Sequence, residues 1–125
     1  MKYTNNQLAI AAYWLTAGRD GSVDQSEANA AWSKLGSSDE FYQSKDDWEL
    51  VRGLYGNGNL DWDEIMSYIS ELPLMTRYHI SAIICGAMKK TVANTSATDG
   101  WPAWWDFCRD TGIDMDSYNS WAKSR

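Results

Sequence analysis

The chain has 125 residues, 17 of them acidic and 11 basic, for a formal charge of −6 at neutral pH. That length can bury roughly two-thirds of its unfolded surface, so neither disulfides nor metal are required for a core. The acidic balance argues against nucleic acid and anionic membrane as partners, since both recruit Lys and Arg. The longest apolar stretch, around "ISAIICGAM", falls short of the ~20 residues a membrane-spanning helix needs.

The spacing predicts helices in sequence order. Leu8, Ala11, Ala12 and Leu15 share one face of a first helix, which Thr4 or Asn5 can cap. Ala28, Ala31, Trp32 and Leu35 repeat that spacing before Gly36 stops a second. Ser44 caps a third, with Trp48, Val51 and Tyr55 in a stripe. A fourth begins near Trp62 and carries Ile65, Met66, Ile69 and Leu72 up to Pro73. A fifth, from about Met75 to Val92, is apolar around more of its circumference and is expected at the centre. Pro102 suits the first turn of a sixth helix ending at Gly112, and a short seventh spans roughly Met115 to Lys123. Alternating runs of strand length do not occur. The expectation is an all-α, single compact domain over 1–125, of about six or seven helices.

Two short stretches have the form of a half-loop. "GRDGSVDQSE" and "YGNGNLDWDE" each place a Gly ahead of an apolar residue, an Asp and a Glu. Twelve-position calcium loops have a Gly at position 6 and a bidentate Glu at position 12. With Gly21 and Gly58 at position 6, Asp20 and Asn57 fall at 5, Asp24 and Asp61 at 9, and Glu27 and Glu64 at 12. Residues 4–72 therefore resemble a degenerate EF-hand pair, with 73–125 as C-terminal helices packing on it. The resemblance implies that Val23 and Leu60 meet between the loops. It also implies a divalent-cation site at Asp20, Asp24, Glu27, Asn57, Asp61 and Glu64. Thr16, Gly18, Gly53 and Tyr55 stand where the opening acidic ligands belong, so any calcium binding is expected to be weak. Asp24-x-x-Glu27 and Asp61-x-x-Glu64 also have capping-box spacing, which leaves a purely structural role open.

The chain is similar as well to TerB-like (tellurite-resistance) helical domains. Asp20, Gly21 and Glu27 match a first acidic turn, and Asp99-Gly100 with the "TGID" ending at Asp114 matches a second. That resemblance implies metal binding through acidic loops. Trp101, Pro102 and Ala103 replace the acidic residues of the second turn.

No catalytic set stands out, and no enzyme is expected. His79 is the only histidine, with no Ser or Cys arrangement beside it to activate. Zinc-ligand spacings and a P-loop are absent. The first residues, "MKYTNNQLAI", lack an apolar leader core, and Cys85 and Cys108 make no disulfide framework, so a cytoplasmic location is expected. "GWPAWWDFCRD" is the remaining unusual stretch. On a helix starting near Pro102, Trp101, Trp104, Trp105 and Cys108 are expected on one side, either sealing the core or forming an anchor patch. Trp101, Trp104 and Trp105, with Asp99, Asp106 and Asp110, make up the candidate partner site, because Trp anchors interfaces and carboxylates steer a basic partner. The functional expectation is an acidic protein of the immunity or inhibitor type, neutralising a basic protein such as a bacterial toxin. The alternative is a calcium-binding protein.

Overall fold

A computed structural model describes residues 2–18, 41–42, 44–87 and 102–124. The predicted second helix, the first half-loop (Asp20, Gly21, Val23, Asp24, Glu27), Asp99 and Trp101 lie outside the described residues. Within them every regular element is helical: α1 (Asn5–Tyr13) continued by a π-turn (Trp14–Gly18), α2 (Lys45–Gly56), α3 (Trp62–Ser70), α4 (Leu74–Ala87), α5 (Pro102–Thr111) and α6 (Met115–Lys123). The protein is all-α.

Local chemistry sets the helix starts. Thr4 and Gln7 form a reciprocal capping box: the Gln7 N–H donates to the Thr4 hydroxyl, and the Thr4 N–H to the Gln7 side chain. Ser44, Asp61 and Asp114 cap α2, α3 and α6, each accepting the N–H three residues on. The stops of α2 and α5 are Schellman motifs around left-handed glycines, Gly58 at φ 73° and Gly112 at φ 70°. Asn59 N–H reaches Leu54 O and Gly58 N–H reaches Tyr55 O; Ile113 N–H reaches Cys108 O and Gly112 N–H reaches Arg109 O.

Among the described residues, α1 packs against α2, α3 and α4 together. Leu8, Ala9, Ala11, Ala12 and Tyr13 are fully buried. Alanines let neighbouring helices approach on several sides, so a short helix of small residues can meet all three. Ile80, Ile83 and Ile84 of α4, Val51 of α2, Ile65 and Ile69 of α3, and Phe107 of α5 complete the core.

Two polar devices tie the helices together. Asp47 on α2 accepts hydrogen bonds from Asn6 Nδ2 and Gln7 Nε2, both at 3.0 Å, and the buried Asn6 takes the Tyr42 N–H on its oxygen. The Arg77 guanidinium on α4 donates to Leu72 O just beyond α3, and to Thr111 O and Gly112 O at the end of α5.

Candidate functional site

The tryptophan-rich helix divides its aromatics between two faces. Pro102 sets the phase of α5, and Ala103, Trp104, Phe107, Cys108 and Thr111 turn inward. The Trp104 ring stacks on Phe107 at 5.6 Å and meets Tyr118 edge-on at 5.7 Å. Trp104 is 2% exposed, so it belongs to the core and is removed from the partner site. The expectation that Trp104, Trp105 and Cys108 share one side is likewise corrected: a turn of ~100° per residue puts the helix seam between Trp104 and Trp105. Trp105 lies outward, 43% exposed.

Asp106 and Asp110 lie one turn apart on the outer side of α5, both half-buried. Arg109 bridges them, with Nη1 at 3.2 Å from Asp106 and Nε at 2.9 Å from Asp110. Asp110 also accepts the Trp62 indole N–H at 2.8 Å, which fixes its carboxylate against α3. The outward group therefore combines one large aromatic surface with two held carboxylates and an exposed guanidinium. It can offer apolar contact and charge complementarity.

In the second half-loop, α2 runs through Gly56, so Gly53 and Tyr55 are helical residues. Only residues 57–61 join α2 to α3. Gly58 is the left-handed stop of α2, and Asn57 caps that helix with an exposed side chain. Asp61 Oδ2 accepts the Glu64 N–H at 2.8 Å, and the Glu64 carboxylate faces Lys2 Nζ at 3.6 Å. Asn57, Asp61 and Glu64 thus each have a local structural part. The "TGID" segment has the same construction, with Gly112 ending α5 and Asp114 capping α6 through the Ser117 N–H and hydroxyl. These two Ser117 hydrogen bonds hold the Asp114 carboxyl below its ordinary range.

Both cysteines are free thiols. Burial pushes the half-buried Cys85 up to about 12, with a hydrogen bond to Tyr118 opposing it. Burial drives Cys108 upward too. Each is held as the thiol, the opposite of what a nucleophilic cysteine requires. His79 sits between aromatic rings, edge-on to Phe41 at 6.1 Å and tilted against Trp121 at 5.7 Å. Among the described residues, no group of three or more His, Cys, Asp or Glu side chains is arranged to hold a metal ion. No helix in these segments is long and apolar enough to cross a membrane.

Sequence reasoning missed Arg77, the Asn6–Asp47 contact and the Trp62–Asp110 pair. An inward set at 104, 107, 108 and 111 was the available signal for Trp104, because those positions repeat at i, i+3, i+4 and i+7. No family model, curated protein or solved structure matches the chain.

Proposed function

We propose that this chain is a non-enzymatic, acidic protein-binding domain of the inhibitor or immunity type, engaging a basic protein such as a bacterial toxin. The observation that carries this reading is the exposed indole of Trp105 on the outer arc of α5, an arc that also carries Asp106, Arg109 and Asp110. Tryptophan is enriched among interface hot spots. A formal charge of −6 favours encounter with a cationic partner. The protonated thiols and the aromatic packing of His79 support a role without catalysis. Free cysteines support a reducing, cytoplasmic setting.

Isothermal titration with a small basic ribonuclease and with an Arg/Lys-rich peptide, at about 20 and about 200 mM salt, tests the proposal. Binding is expected at low salt, weakened at high salt. Trp105→Ala should weaken it by about 30-fold, the loss expected for a hot spot of ~2 kcal/mol, without moving the thermal melt. Wild-type affinity in Trp105→Ala, or no heat with either probe, would overturn the reading.

A further inference from the structure

We draw no further inference here: the strongest candidate, the exposed apolar pair Leu74 and Met75 on the first turn of α4, carries nothing because nothing in the structure shows what covers it.

Discussion

Removing the Arg77 guanidinium should loosen two helix ends at once. Its Nε donates to Leu72 O at 3.0 Å, and Nη1 to Thr111 O at 2.9 Å and Gly112 O at 3.1 Å. A hydrogen bond from a charged donor contributes about 1.5–3 kcal/mol when its partners are dry. These carbonyls are only partly buried, so water recovers much of that after the donor is lost. About 1 kcal/mol per bond is a fair remainder, and Arg77→Met should cost about 2–3 kcal/mol while keeping an apolar stem. Over 125 residues, that loss lowers Tm by about 8–11 °C. Arg77→Lys should recover less than half, because one ammonium cannot reach both helix ends. Urea unfolding followed by circular dichroism measures each variant, and amide exchange at Gly112 and Ile113 reports the α5 end separately. An Arg77→Met midpoint within about 0.5 kcal/mol of wild type would refute the reasoning.

The two neighbouring tryptophans should separate cleanly in the same assay: Trp104→Ala should lose about 3–5 kcal/mol, and Trp105→Ala less than about 0.5 kcal/mol. Equal losses would contradict the division of α5 into two faces. Asp61→Ala should cost about 1 kcal/mol through the lost α3 cap. Thermal melts of the wild type in chelator and in ~1 mM calcium should coincide; a site of ~10 μM affinity would instead add about 2.7 kcal/mol, and such a shift would restore the half-loops as ligands. Asp114 should titrate below its ordinary 3.8. Because its folded value is depressed, the cap's stabilisation is complete above 3.8 and is lost as pH falls through the lower folded value. Carboxyl NMR should show that midpoint rising part of the way towards 3.8 in Ser117→Ala, which keeps the backbone N–H, and an unchanged midpoint would count against the Ser117 hydroxyl as the larger cause.

Features governed by the nearest few residues were legible in the sequence. Thr4, Ser44, Pro102 and Gly112 act within one or two turns, and α1, α2 and α5 begin, and α5 ends, where those residues predict. By contrast, α3 stops at Ser70, short of the Leu72 its apolar spacing reaches. The long-range contacts were not legible. Arg77 meets backbone carbonyls 34 and 35 residues away, and a carbonyl has no side-chain signature to search for. Asn6 and Asp47 are 41 residues apart and look like ordinary polar positions on two amphipathic helices. The packing of α1 against three helices was hidden because hydropathy rewards large side chains, whereas Ala9, Ala11 and Ala12 act by being small. At the candidate site, composition pointed to α5, but only the phase of the helix told Trp104 from Trp105.

The π-turn after α1 makes chain length itself a specified quantity. Such a turn holds one residue more than the α-helical turn it replaces. Here the Thr16 hydroxyl donates to Ala12 O at 2.7 Å and Tyr13 O at 3.2 Å, bracing the widened turn from inside. The extra residue delivers Gly18 to Tyr55, where an added Cβ would lie 2.5 Å from the phenol oxygen. With the π-turn kept in shape, deleting one residue between Trp14 and Ala17 would bring the next residue in the sequence, Arg19, to the position that Gly18 holds. A side chain would then face the phenol in place of hydrogen. Many substitutions leave a helix in register, but one deletion here would misalign the junction with α2.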